Sequence, residues 1–202
     1  LITSLTAIYL FLSNFAKTTR TIVLATIALG GSMAFMDYSS SGLENPLTHL
    51  LLVIFFIVFL REDSSPVRKL SHLSLLMALG TLNRLDTALF YLPALVYQFW
   101  QCRAQLRPAV KAVLTGFLPL ILWEIFATFY YGFPFPNTFY TKAQTGLDTF
   151  YLLKQGAAYF TNSIHWDTFT LGAGLLGLIS VGLQRDAKRI LIATGMFLYA
   201  CY

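Results

Sequence analysis

Asp37-Tyr38-Ser39-Ser40-Ser41-Gly42-Leu43-Glu44-Asn45-Pro46 places two carboxylates and an amide in a short polar segment that has no basic residue, between two strongly apolar stretches. Carboxylates in such a setting suit sugar hydroxyls, a cation, or general-base work on an acceptor alcohol. The serines and Gly42 permit tight turning and close backbone approach, and Pro46 suits the first residue of a following helix. These features predict a loop from Asp37 to Pro46. The plain alternative is a solvated capping loop in which Glu44 favours a helix N-terminus.

A second constellation is Asn83-Arg84-Leu85-Asp86, between segments that otherwise carry almost no charge. A guanidinium offers a planar fork of donors that matches a phosphate, and a carboxylate two residues away is placed to orient it. The competing reading is a self-neutralising turn in which Asp86 caps the next helix at Thr87. A third runs from Tyr130 to Lys142, with aromatics interleaved with prolines that break the helix at its exit. Its rings suit an interfacial belt, or a stacking surface for a sugar or isoprenoid chain, with Asn137 and Thr138 as hydrogen-bonding groups and Lys142 as a phosphate counter-charge. Glu124 is a fourth candidate, about 10 Å below the outer end of its helix at a rise of about 1.5 Å per residue. An intramembrane carboxylate points to function by default, while protonation or pairing with Arg84 gives it an architectural role.

The elements that must carry these residues are membrane helices. The chain of 202 residues is 56% hydrophobic and 11% charged, more apolar than a water-soluble core accommodates. Runs such as Leu50 to Leu60 belong in lipid or in a helix bundle, and no segment shows the alternation of a transmembrane strand. The expected fold class is all-α, a polytopic transmembrane helix bundle.

Charge placement orients it. Lys17 and Arg20; Arg61, Arg68 and Lys69; Arg103, Arg107 and Lys111; and Arg185, Lys188 and Arg189 cluster between apolar segments, as short cytoplasmic loops do, and only Arg84, Lys142 and Lys154 fall elsewhere. That pattern, rather than nucleic-acid binding, accounts for the formal net charge of +5. A first helix ends near Ala16. Thr21 to Met36 runs outward and Leu47 to Leu60 returns; Leu70 to Leu82 and Thr87 to Gln101 form an out-and-back pair with Arg84 at its tip. Val110 to Tyr131 climbs, an outer segment follows with an amphipathic helix over 147–163, Thr168 to Leu183 descends, and Ile190 starts a last ascent. The whole of 1–202 thus reads as a partial transmembrane domain of about seven or eight helices or half-helices. Several are shorter than the roughly 20 residues needed to cross a bilayer, so the Arg84 tip is expected beside a protein-lined cavity. The leucine at position 1 and the apolar run at 196–202 predict a fragment of a longer protein. Cys102 and Cys201 are far apart and predict no structural disulfide, and His49, His72 and His165 lack metal-ligand spacing.

The ordered set of Asp37 to Pro46, Asn83 to Asp86 and Gly132 to Lys142 resembles the membrane core of the terminal arabinofuranosyltransferases of mycobacterial cell-wall synthesis. A related group, the flagellar motor control proteins of flagellated bacteria, shares that core. The resemblance covers roughly residues 20 to 145, and Gly-Leu-Glu-Asn-Pro and Pro-Asn-Thr-Phe-Tyr-Thr-Lys are its more specific segments. It implies a GT-C type glycosyltransferase of the bacterial inner (cytoplasmic) membrane, multi-pass, with its active side outward, taking a sugar from a polyprenyl-phosphate-linked donor to a cell-envelope glycan acceptor. It also implies that the catalytic carboxylates lie upstream of residue 1, and that a soluble C-terminal domain lies beyond the chain. Asp37, Glu44, Asn45, Arg84, Asp86, Asn137, Thr138 and Lys142 are then expected to bind substrate. The partners are the donor, the acceptor and the lipid bilayer, with no nucleic acid. No cofactor is expected, although the two carboxylates leave room for a divalent cation without ligand spacing that commits them to one. The other reading is a non-enzymatic polytopic membrane protein, a transporter or a flagellar assembly factor; the sequence shows no internal repeat of the kind transporters use.

Overall fold

The structure is a computed structural model that describes residues 2–40, 43–62, 65–135, 140, 146 and 148–201. Among them every regular element is helical: α1 (Ile2–Phe15), α2 (Thr19–Gly31), α3 (Met33–Ser40), α4 (Asn45–Leu60), α5 (Pro66–Asn83), α6 (Ala88–Gln101), α7 (Leu106–Tyr131), α8 (Thr149–Trp166), α9 (Thr168–Gln184) and α10 (Ala187–Cys201), with 3-10 turns at Leu85–Thr87 and Arg103–Gln105.

The helix α5 is the centre of the bundle and packs against α4, α6 and α7. Its buried stripe, Leu70, Leu73, Ser74, Met77, Ala78 and Thr81, has the three-and-four spacing of one helical face. Phe55 and Phe59 of α4, Tyr91 and Ala94 of α6, and Ala109 and Ala112 of α7 close the core around it. Small residues let α7 approach closely. A Cβ on Gly116 would collide with Ser74 Cβ, and would lie only 2.9 Å from the Ser71 carbonyl.

The helix starts are legible in local chemistry. Thr18 caps α2 by accepting from the Thr21 amide at 3.2 Å, and Ser65 caps α5 by accepting from the Arg68 amide at 3.4 Å, with Pro66 in its first turn. The cap moves the start of α5 to Pro66, ahead of the Leu70 expected from apolar length alone. Lys69 is thereby inside the helix, and its stem lies buried while Nζ donates to the Phe59 and Arg61 carbonyls at 2.6 and 2.8 Å. Those are the orphan carbonyls at the C-terminus of α4, where a cation is favoured. The helix α7 ends at Gly132, which adopts φ 78° and donates its amide to the Thr128 carbonyl at 3.1 Å. A left-handed glycine cap, ahead of the prolines, is what stops it.

The connections sort into two ends. Gln98 of α6 donates to the Pro66 carbonyl at 3.1 Å, and Lys69 caps α4, so Arg61, Arg68, Lys69 and Arg103 share one end. Asn83 reaches Glu44, and Tyr199 near the close of α10 reaches Asp86, so these groups share the other. The out-and-back order expected from charge placement agrees with this arrangement of α4 to α7 and α10.

Among the described residues one stretch, Arg103–Tyr131, is a helix long and apolar enough to cross a membrane; α2 with α3, bent by 71°, and α8 with α9, bent by 104°, would each add a span if a bent pair counts as one. Large apolar side chains cover the outside of the bundle, including Phe129 at 91% and Leu183 at 80% exposure. Every residue of α8 except the half-buried Ser163 is exposed, so its apolar face is not covered by the described chain.

Candidate functional site

Arg84 sits at the C-terminal end of α5, where its extended backbone (φ −150°, ψ 121°) turns the chain into the 3-10 turn that carries Asp86. The Thr87 hydroxyl, buried, donates to the Gly80 and Arg84 carbonyls at 3.0 and 2.7 Å and holds that turn against the helix end. The guanidinium is therefore delivered to its partners by the backbone. Nε donates to Asp86 Oδ1 at 3.2 Å and Nη2 to Asp86 Oδ2 at 2.8 Å, a two-bond fork. Nη1 donates to Asn45 Oδ1 at 3.0 Å and lies 3.4 Å from Glu44 Oε1.

Two segments about forty residues apart in sequence thus meet at one rim. Asn83 extends the contact by donating to the Glu44 carbonyl at 3.1 Å and to Thr48 Oγ1 at 2.8 Å. Tyr199 completes it from α10: its hydroxyl donates to Asp86 Oδ2 at 3.4 Å, and its ring stacks on Phe90 with centroids 4.2 Å apart. Tyr199, Asn83 and Thr48 are not legible as site residues in the sequence. Tyr199 stands in an apolar run far from the tip, with no local signal; for Asn83, adjacency to Arg84 is the available clue.

The electrostatics differ from an open phosphate cradle. Among the described residues one guanidinium faces two carboxylates, Asp86 and Glu44, so its charge is already matched. The fork to Asp86 pushes the Arg84 pKa further above its ordinary range, against the opposing effect of partial burial. Glu44 is the looser partner, with its side chain 43% exposed against 15% for Asp86.

The other expected site residues lie elsewhere. The loop expected from Asp37 to Pro46 is shorter than predicted: α3 continues through Ser40, and Asp37 lies on it, exposed. The reason is that Ser40 folds its hydroxyl back onto the Met36 carbonyl at 3.0 Å, and the Ser39 carbonyl is held by the Ser4 hydroxyl of α1 at 3.3 Å, so this end of the segment is tied down as helix rather than opened as a turn. Asp37 is not among the partners of Arg84, which are Asp86, Asn45 and Glu44. Glu124 is not paired with Arg84 either, whose acidic partners are Asp86 and Glu44. Asp86 does not cap the helix at Thr87, where no side-chain cap forms; its carboxylate is spent on Arg84. Asn137, Thr138 and Lys142 lie outside the described residues.

A second polar knot joins the two bent helix pairs at their breaks. Asp167, between α8 and α9, accepts from the Thr170 amide at 3.1 Å and its hydroxyl at 2.7 Å, and also from the Ala34 amide at the start of α3 at 2.8 Å. Ser32, the residue at the α2–α3 break, bonds to the Thr170 hydroxyl. One carboxylate therefore serves two helix N-termini. Partial burial alone would raise its pKa, but the hydrogen bonds from Ala34, Thr170 and Ser32 outweigh it and hold the carboxyl below its ordinary range. Asp-Thr before an apolar segment is a cap signature that the sequence carries; its second client, α3, is not legible there.

Among the described residues no group of three or more His, Cys, Asp or Glu is placed to hold a metal ion. No protein-family model, curated protein or solved structure matches this chain.

Proposed function

We propose that this chain is the membrane core of a multi-pass glycosyltransferase of GT-C type in the bacterial inner (cytoplasmic) membrane. It moves a sugar, arabinofuranose-like by the motif resemblance, from a polyprenyl-phosphate donor to a cell-envelope glycan on the outer face. The observation that carries this reading is the meeting of Glu44-Asn45 with Arg84 and Asp86 at the end of the bundle away from the basic clusters. Lipid-linked donors present their phosphate at that depth, and a fixed guanidinium is suited to the charge that grows on the leaving phosphate.

In this reading the acceptor hydroxyl attacks the anomeric carbon, the bond from that carbon to the phosphate oxygen breaks, polyprenyl phosphate leaves as the dianion, and the hydroxyl proton passes to a general base outside the residues assigned here. Asp86 is the permanent orienter of Arg84, and Glu44 is the exchangeable partner: the donor phosphate replaces it on Nη1, and the freed carboxylate is available to sugar hydroxyls. Asn45, already on Nη1, holds the guanidinium plane during that exchange. No residue of this chain is assigned as the base. The test is transfer from a polyprenyl-phosphate-linked arabinofuranose by the full-length protein in proteoliposomes. Arg84→Gln should lower transfer by at least about a hundredfold, as loss of a transition-state charge partner does.

A second reading, a non-enzymatic transporter or flagellar assembly factor, is favoured by the two bent helix pairs that meet at Asp167 and by the full engagement of Arg84 in ion pairs. It expects wild-type protein to transfer no sugar, and neutralised Arg84 and Glu44 to leave the cellular function intact.

A further inference from the structure

Along α6 and α10 runs an open groove of about 470 Å³ lined by Leu92, Pro93, Val96, Tyr97, Trp100 and Leu191. The lining is almost wholly apolar, and the two helices that form it are locked together below the Arg84 rim, where Gly195 lies against the Phe90 carbonyl. Its lower end has a different chemistry. Trp100, 62% exposed, carries the Arg103 guanidinium 4.9 Å above its ring. Lys188 stands one helical turn before Leu191 on the same face of α10, at the same basic end. The nearby acid is already engaged, since Asp186 pairs with Arg189 at 3.3 Å. Among the described residues neither Arg103 nor Lys188 has a carboxylate partner.

We propose that this groove is a binding site for an anionic phospholipid of the inner leaflet, with an acyl chain along α6 and α10 and the headgroup phosphate between Arg103 and Lys188. Charge complementarity selects the occupant: an apolar channel that ends in an indole and two cations fits a chain joined to an anion, and a zwitterionic lipid brings its own cation to the same place. Trp100 is an amphipathic ring of the kind that anchors at a membrane interface, and its ring keeps the Arg103 charge at the groove mouth. The proposal rests on the membrane orientation in the functional reading above, but not on sugar transfer.

The experiment is lipid retention by the full-length protein, purified in detergent and offered equal amounts of phosphatidylglycerol and phosphatidylcholine with the same chains, read by native mass spectrometry. The wild type should retain phosphatidylglycerol up to about thirtyfold better, as expected for two basic contacts. Arg103→Gln with Lys188→Gln should bring the two lipids to parity, while Lys17→Gln with Arg20→Gln should leave the preference intact. Equal retention by the wild type overturns the proposal whether or not the variants fold, and so does a preference that survives in the Arg103/Lys188 variant. Competition by soluble glycerol phosphate would also overturn it, by showing an anion site that does not need the chain. A failure of sugar transfer leaves these outcomes unchanged, and retention of neither lipid overturns the proposal.

Discussion

Arg84 and Asp86 face each other across a two-residue turn with both Asp86 oxygens engaged, at 3.2 and 2.8 Å, so the guanidinium plane is set by its own chain before any other partner arrives. Asn45 and Glu44 then dock onto the remaining edge of that plane, which ties the start of α4 to the end of α5.

Replacing Arg84 with Gln removes the cation that faces both Asp86 and Glu44. The side chains of Arg84 and Asp86 are 26% and 15% exposed, so solvent screens part of the loss. The expected destabilisation is about 2 kcal/mol, and Asp86→Asn in the same background should recover part of it by removing the charge the guanidinium had faced. Thermal unfolding of the single and double variants in one detergent checks the coupling.

Tyr199 contributes a ring and a hydroxyl, and these separate by substitution. Tyr199→Phe keeps the stack on Phe90 and loses a 3.4 Å hydrogen bond, so stability should change by no more than about 0.5 kcal/mol. Tyr199→Ala also loses the ring and should cost about 2 kcal/mol or more. Denaturation midpoints of the two variants, taken side by side, separate the contributions.

Gly116 lies where α7 meets α5, and any side chain there collides with Ser74 and crowds backbone on α5. Gly116→Val should cost about 1–3 kcal/mol despite adding apolar surface, because rigid backbone cannot yield as a side chain does. A substitution at Gly172, beside which a Cβ meets open space, is the control and should be near neutral in the same unfolding assay.

Asp167 carries a pH dependence. Its folded pKa is lowered, so its contribution is present above the unfolded value of about 3.9 and is lost as pH falls through the lower folded value. Asp167→Ala should destabilise by about 1 kcal/mol at pH 7, the usual worth of a cap, with the difference from wild type vanishing in strong acid. Melting temperatures of both proteins from neutral pH down into strong acid check the sign.

Much of the helical plan is readable from charge. Basic residues at Arg61, Lys69 and Arg103 mark one end, and Lys69 shows one reason, since a cation is favoured at the C-terminal carbonyls of a helix. Boundaries are less legible where a hydroxyl has two uses. Ser39 and Ser40 have the composition of a turn and are helical, while Ser65 has the composition of a linker and is a cap. Arg84 and Asp86 stand out by isolation, but the partners of the rim come from α4 and α10, and no local pattern records which distant tyrosine a carboxylate will meet. Glu124 illustrates the converse: its depth in an apolar helix suggests pairing with Arg84, and Arg84 is already saturated by nearer acids.

In the proposed reading the Arg84 rim serves transfer from a lipid-linked sugar. Its most direct test is single-turnover transfer of radiolabelled arabinofuranose from its polyprenyl-phosphate donor by the full-length protein in proteoliposomes, with wild type, Arg84→Gln and Glu44→Gln compared beside the lipid-groove variant Arg103→Gln. Wild type and the Arg103 variant should give labelled glycan, Arg84→Gln at least about a hundredfold less, and Glu44→Gln about tenfold less. Absence of transfer by wild type, or transfer undiminished in Arg84→Gln, rules out this role for the Arg84 rim.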